Sequence, residues 1–373
     1  MKITAIDVHQ VHLPYAGGVY RLSGGRHYTG FDAAIIHMHT DQGIDGWGES
    51  TPFGASYIAA HAGGVMAALK ELAPAVLGMD PRQTDRVNDR MDALMKGQNA
   101  AKTALDVALW DIIGKAHGMA VVDLLGGRVE GRIPVISSIG GDTPEAMRRA
   151  VASHRNQGFM GHSIKIGATE AEGGPKLDAE RIKACLADQA EGEWFLVDAN
   201  GGLSVEQALR MLALLPAELD FVLEAPCATW AETLSLRAKT SRPILLDELI
   251  ENDADIIHAI RHDACDGVGI KISKQGGLTA SRRQRDLCRA AGLVMSVQDT
   301  VGSDIAFAAI VQMAQSVPRH LLRCALDTRA MVSLTTAGFD APIIDGGVTA
   351  PDGAGLGITP DLDVLGAPVA RYE

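Results

Sequence analysis

The sequence has no cysteine pair spaced C-x-x-C, and its five cysteines, at positions 185, 227, 265, 288 and 324, are odd in number. That excludes a disulfide framework and a cysteine-rich zinc site, and it fits a reducing compartment. No apolar run approaches the roughly 20 residues that carry a helix across a bilayer. The segment from Met1 to Asp7 lacks the apolar core of a secretion signal, so the cytoplasm is the expected compartment. Lys and Arg form no cluster, and the net charge is −12. A nucleic-acid or anionic-membrane partner would need a basic surface, so neither is expected. Nothing long enough to matter reads as disordered.

What is present is core. Apolar residues make up 47% of 373, enough for one large domain or two ordinary ones. The acidity reads as solubility, and an anionic substrate would then need a local cation, which a bound metal could supply.

The rhythm of the chain changes along its length. Residues 1–50 read as strands, with Ile3, Ile6, Val8 and Val11 in one and Ala34–His39 in another. A Gly-rich stretch between them, Tyr15 to Gly30, suggests a loop that covers something. Residues 55–120 read as helices, most clearly Ala104–Lys115 with its apolar residues at helical spacing. From about Ile133, short β-rich runs alternate with helix-length segments. The runs are Ile133–Ser137, His162–Ile166, Trp194–Val197, Phe221–Leu223, Ile244–Leu246, Gly267–Ile270, Leu293–Val297 and Leu321–Cys324. Eight such strands predict a parallel α/β barrel. The expected layout is an α+β capping domain over 1–127, a (β/α)7β-type TIM barrel over 128–325, and a tail, 326–373, that returns to the capping domain.

Three predicted strands end in a carboxylate: Asp198 before Ala-Asn200, Glu224 before Ala-Pro226, and Asp247 before Glu248. The spacings of 26 and 23 residues are each one βα unit. Barrel chemistry gathers at the C-terminal ends of strands, so the three carboxylates should converge. A lone Asp there is usually a turn former or a helix cap. Glu224 is harder to dismiss, because Glu does neither job well. Carboxylates this close repel unless a cation neutralises them, and an all-oxygen ligand set suits Mg²⁺. Two lysines flank the trio: Lys165 near the end of strand two and Lys271 at the end of strand six. Either alone would pass for a solvated surface residue. Together they could address opposite faces of one substrate, as acid and base, with nearby positive charge lowering a lysine's pKa.

These motifs resemble the enolase superfamily in its mandelate racemase/muconate lactonizing branch. Gly46-Trp47-Gly48-Glu49, Ala104–Asp111 and Leu124-Leu125-Gly126-Gly127 resemble the family's capping-domain signatures. Asp198-Ala-Asn200, Glu224-Ala-Pro226 and Asp247-Glu248 match its metal-ligand motifs, and Gly276-Gly277-Leu278-Thr279 follows the sixth-strand lysine as the family expects. The resemblance implies Mg²⁺ on Asp198, Glu224 and Asp247, and a lysine base. One departure stands out. The muconate-lactonizing type carries Lys-x-Lys on strand two, and here Ser163 takes the first position. His162-Ser163-Ile164-Lys165 with Leu22–Arg26 looks like the cis-3-hydroxy-L-proline dehydratase group, whose wider relatives include proline-betaine and hydroxyproline-betaine 2-epimerases.

The expected reaction is dehydration of cis-3-hydroxy-L-proline to Δ1-pyrroline-2-carboxylate by an enzyme that is a homo-oligomer. The alternatives are a 2-epimerase or racemase of proline, hydroxyproline or their betaines, a sugar-acid dehydratase, and a metal-binding barrel without catalysis. No His ends strand seven, as the sugar-acid branch would favour, and both lysines are retained, as an inert barrel would not need. Further substrate contacts are expected from Tyr20, Ser23, Arg26, Tyr57, Ser163 and Asn200. Asp299, where relatives carry Glu, and Asp327, against the substrate ammonium, complete the expectations, with a helix cap as the competing role for each.

Overall fold

The computed structural model describes residues 1–373. An antiparallel sheet opens the chain, ordered Ala370–Tyr372, Ile3–Pro14, Gly30–Thr40, Asp45–Ser50. The alternation of its strands sends Ile6, Val8, Ile36 and Met38 to one face, where they bury against the helices Ala62–Val76 and Asn99–His117. Gly48 is what lets sheet and helix meet. A Cβ there would stand 2.1 Å from the Ala104 carbonyl oxygen.

The eight barrel strands are Ile133–Ile139, Gly161–Lys165, Trp194–Asp198, Val222–Glu224, Ile244–Leu246, Gly267–Lys271, Val294–Gln298 and Leu322–Leu326. All pair in parallel, and the last closes on the first through Leu326 and Ile136. Their apolar runs, such as Val268 and Ile270 or Met295 and Val297, are buried because helices cover the outside. A helix follows each of the first seven strands: Pro144–Asn156, Gly174–Leu186, Val205–Ala213, Trp230–Arg237, Asp253–Arg261, Leu278–Ala291 and Asp304–Ala314. After the eighth comes only the 3₁₀ turn Thr328–Met331, so the barrel is (β/α)7β. The predicted strands shift by a residue or two at several ends. Strands three, four, six and seven run on to include Asp198, Glu224, Lys271 and Gln298.

The tail takes a longer route than a simple return to the cap. Gly347 and Val348 pair antiparallel with Pro134 and Ile133 at the start of the first barrel strand. Ala337–Phe339 pairs with Ile358–Pro360, and only the last strand, Ala370–Tyr372, joins the capping sheet. No helix is long and apolar enough to cross a membrane. All five cysteines are free and buried.

The capping domain is tied to the barrel by buried carboxylates. Glu49 accepts from Ser303 N at 2.8 Å, Ala306 N at 3.1 Å and the Ser303 hydroxyl, which caps the helix Asp304–Ala314. Asp106 accepts from Thr279 N at 3.0 Å and Thr279 Oγ1 at 2.6 Å, at the start of the helix Leu278–Ala291. Gly277, at φ +105°, makes room for that carboxylate; a Cβ there would lie 2.4 Å from Asp106 Oδ2.

Candidate active site

The strand ends bring the predicted residues to one mouth. Lys165, Asp198 and Glu224 are register neighbours across strands two, three and four. Asp247 directly follows strand five, and Lys271 ends strand six beside Gln298 of strand seven. All of them are buried. The residue after Glu224, Ala225, sits at φ +40°, a conformation that costs an L-residue energy and turns the chain sharply behind the carboxylate.

The carboxylates are held in distinct ways. Lys165 Nζ donates to Asp198 Oδ2, and Asn200 donates to both Asp198 oxygens, from its backbone N at 2.8 Å and its Nδ2 at 3.0 Å. Asp247 meets two ammonium groups, Lys271 at 2.6 Å on Oδ2 and Lys274 at 2.8 Å on Oδ1. Tyr57, from the capping domain, donates its hydroxyl to Asp247 Oδ2 at 3.0 Å and accepts from Lys271. Glu224 has a neutral partner, Gln298 Nε2 at 3.1 Å.

Electrostatics follow from that pattern. Burial, with Asp198 and Asp247 close by, pushes the Glu224 carboxyl up to about 8. Burial and the same two neighbours push Glu248 up to about 7. Asp247 goes the other way, because Lys271 and Lys274 outweigh its burial. The site therefore gathers more carboxylate than its lysines neutralise. Beside it, Glu248 Oε2 and Asn200 Oδ1 are buried without a partner. Clustered carboxylates, orphan oxygens and no His or Cys among them are the donor set of a hard divalent cation, so the residues fit Mg²⁺. Burial would lower both lysines, but Asp198 with Tyr20 and Glu224 at Lys165, and Asp247 with Glu248 and Glu224 at Lys271, together outweigh it, so these neighbours hold both raised.

Between the lysines lies a small cavity. Tyr20, Tyr57, Ser163, Asn200, Gln298 and the two lysines supply its polar wall; Leu22, Phe53, Ile136, Leu196, Leu326 and Met331 supply the apolar one. Tyr20 is fixed there by a hydrogen bond to Ser138.

Four expected substrate contacts are engaged elsewhere. Arg26 spends its donors on Ser56 O at 2.7 Å, Asn200 O at 3.2 Å, and Ser23, so Ser23 and Arg26 clasp the Gly-rich loop over the barrel rather than lining the cavity. Asp299 accepts from Ser273 Oγ at 2.7 Å and Thr300 N at 2.7 Å, and burial pushes it up to about 7; it caps the turn after strand six. Asp327, expected to face a substrate ammonium, is paired here with Arg329 at 2.9 Å. Two contacts escaped the sequence reading, Lys274 on Asp247 and Gln298 on Glu224. Lys274 had a signal: it lies three residues past Lys271, one helical turn away in Ile272–Gln275.

Comparison with known proteins agrees with this geometry. A model of the mandelate racemase/muconate lactonizing enzyme N-terminal domain matches residues 28–126, and an enolase C-terminal domain-like model matches 145–364. The chain belongs to the enolase superfamily, in its mandelate racemase/muconate lactonizing branch. It is 37% identical to a cis-3-hydroxy-L-proline dehydratase from Roseibium aggregatum over 373 residues, all of both chains. It is 30% identical to an N-succinyl-L-Arg/Lys racemase from Bacillus cereus over 326 residues, 85% of each. Among solved structures, a mandelate racemase/muconate-lactonizing family protein from Roseovarius nubinhibens, crystallised with magnesium, is 65% identical over the whole of both chains, with a TM-score of 0.99. These enolase-superfamily relatives are dehydratases, cycloisomerases, racemases and epimerases. The protein is accordingly an enzyme, a lyase or an isomerase.

Proposed function

We propose that this enzyme removes the α-proton of a small imino acid, with Lys165 and Lys271 as acid and base and Asp198, Glu224 and Asp247 holding Mg²⁺, and that it dehydrates cis-3-hydroxy-L-proline. The observation that carries the reading is the pair of buried lysines, from strands two and six, that reach one cavity beside three carboxylates. Two strand positions that lie half a barrel apart can address opposite faces of a ring.

Mg²⁺, when bound, supplies positive charge that neutralises the carboxylates and stabilises the charge building on the substrate carboxylate as its α-proton leaves. With Asp198 and Asp247 neutralised, Lys165 and Lys271 lose the partners that hold their protons, the direction a lysine base needs. In cis-3-hydroxy-L-proline the hydroxyl shares a ring face with the carboxylate, so the α-hydrogen lies on the other face. One lysine takes that hydrogen as a proton. The electron pair of the broken C–H bond forms the C2–C3 double bond, and the C3–O bond breaks. The second lysine protonates the departing hydroxyl, which leaves as water. The enamine then tautomerises to Δ1-pyrroline-2-carboxylate. The apolar wall formed by Leu22, Phe53, Leu196 and Met331 suits the ring methylenes. Full-length similarity to a dehydratase of that substrate supports the choice.

The second reading is 2-epimerisation of proline, hydroxyproline or a betaine, favoured by the similarity to a racemase. A betaine also finds rings for its quaternary ammonium, since Tyr20, Phe53 and Tyr57 line the cavity, while strand eight and the turn after it contribute Leu326 and Met331. A screen of hydroxyprolines and their betaines with Mg²⁺ in heavy water, read by NMR, separates the two. Dehydration yields the imine from the cis isomer and far less from the trans isomer. Inversion at C2 with deuterium incorporated and the hydroxyl retained would overturn the dehydratase reading.

A further inference from the structure

We propose that Asp7, His37 and His39 form a second metal site, on the capping sheet, for a borderline divalent transition cation of the Zn²⁺ type. His37 and His39 are two residues apart on the strand Gly30–Thr40, so both side chains leave the same face. Asp7 is the register partner of His37 on the neighbouring strand. One nitrogen from each imidazole and one oxygen of Asp7 lie within 4.8 Å of one another. Ligands about 2.0–2.1 Å from one tetrahedral zinc ion stand about 3.3–3.4 Å apart, so side-chain rotations that draw the three groups together by up to about 1.5 Å would complete the site.

Neighbouring groups orient the ligands. Trp47 stacks on the His37 ring, with centroids 3.9 Å apart and planes within 12°. Asp45 Oδ2 is 2.5 Å from His37 Nε2, so a second carboxylate is at hand, either to bind or to hold the imidazole. Asp7 is bonded to His39 Nε2 at 2.9 Å and to the exposed Arg371, at 2.9 and 3.1 Å. An independent observation points the same way. His9, on the same strand face as Asp7, is 5% exposed, and its Nδ1 has no partner. Burial lowers its pKa, which favours the neutral, ligating form of the ring.

Chemistry separates this site from the barrel mouth. Imidazole nitrogens suit Zn²⁺, Co²⁺ or Ni²⁺ and are poor ligands for Mg²⁺, whereas the mouth offers only oxygen. The two imidazoles and Asp7 span two strands, and Arg371 links them to a third near the C-terminus.

The test is titration of the full-length protein with Zn²⁺ by calorimetry in excess Mg²⁺, wild type against His37→Gln/His39→Gln. The difference between the two isolates this site whatever binds in the barrel. The expected result is one more Zn²⁺ equivalent in the wild type, with affinity for that equivalent reduced at least 100-fold in the variant. Equal stoichiometry and affinity would overturn the proposal. Should the double variant fail to fold, wild-type crystals soaked in Zn²⁺ decide by anomalous scattering. A peak between Asp7, His37 and His39 supports the site, and its absence refutes it.

Discussion

Replacing Asp327 with Ala should destabilise the protein and leave substrate affinity nearly unchanged. Asp327 is 3% exposed and accepts from Arg329 three times: backbone N at 3.0 Å, Nε at 3.1 Å and a terminal nitrogen at 2.9 Å. The guanidinium otherwise meets the Ala341 carbonyl at 3.1 Å and the Phe307 ring, 4.2 Å from its centroid. Without the carboxylate, a charge whose side chain is only 23% exposed keeps one neutral acceptor and an aromatic face. Breaking a buried pair from one side costs about 3–5 kcal/mol, and a hydrogen bond to a charged group is worth about 1.5–3 kcal/mol. The residual solvent contact and the Phe307 face soften this, so the expected loss is about 2–4 kcal/mol. For a chain of this size that lowers Tm by roughly 3–5 °C. Calorimetry reads the stability, and steady-state kinetics on cis-3-hydroxy-L-proline reads KM. An unchanged Tm with KM raised tenfold or more would refute the reasoning, for it would mean that Asp327 leaves Arg329 to bind the substrate ammonium.

Chelator treatment should abolish activity and Mg²⁺ should restore it; full activity in metal-free enzyme would remove the three carboxylates from the mechanism. Lys165→Ala and Lys271→Ala should each end net turnover, while one of them still exchanges the substrate α-proton with solvent deuterium, as NMR would reveal. Glu49→Ala strands the Ser303 and Ala306 N–H groups at a helix start and should cost about 2–4 kcal/mol in urea unfolding. Burial, with His162 nearby, pushes the half-buried His154 down to about 4, so below pH 6.5 the unfolded chain takes a proton that the folded chain refuses. That contribution is fully present above pH 6.5 and is lost as the pH falls toward 4. His154→Phe should remove about 1–2 kcal/mol of the stability lost across that window, seen as a flatter Tm-versus-pH curve there, and leave the curve above pH 7 unchanged.

The barrel and the convergence of Asp198, Glu224 and Asp247 at its mouth could be read from the chain because both depend on local, repeated features. Short apolar runs alternate with helix-length segments, and the carboxylates recur once per βα unit at strand ends. Lys165 and Lys271 followed from the same rule. Asp327 and Arg26 did not follow, because their roles depend on competition between partners. A strand-end Asp can face a substrate or a nearby cation, and Arg329, two residues on, is close enough in a turn to take it. Arg26 has the composition of a substrate clamp, yet its acceptors come from Ser56 and Asn200, 30 and 174 residues away. The lysine expectation weighed positive neighbours, and the carboxylates around Lys165 and Lys271 act in the opposite direction.

The residues that identify the family are largely not the ones that choose a substrate. Glu49 and Asp106 spend their oxygens on the starts of barrel helices, and Asp111 accepts from Trp47 N at 2.9 Å and Leu356 N at 2.8 Å. Gly48 and Gly277 are small because backbone and carboxylate press against them. Such motifs hold the cap over the barrel mouth and would serve any substrate there. Even the metal trio and the lysines define only a proton abstraction common to dehydratases and epimerases. Choice between them must reside in cavity positions outside the signatures: Tyr20 with Ser138, Leu22, Ser163, Leu326 and Met331. Ser163 is the informative one. Where the muconate-lactonizing type carries a second lysine, this cavity has a small neutral hydroxyl beside Lys165, so the substrate meets one cation on that face instead of two. Lys165 there pairs with the Asp198 carboxylate.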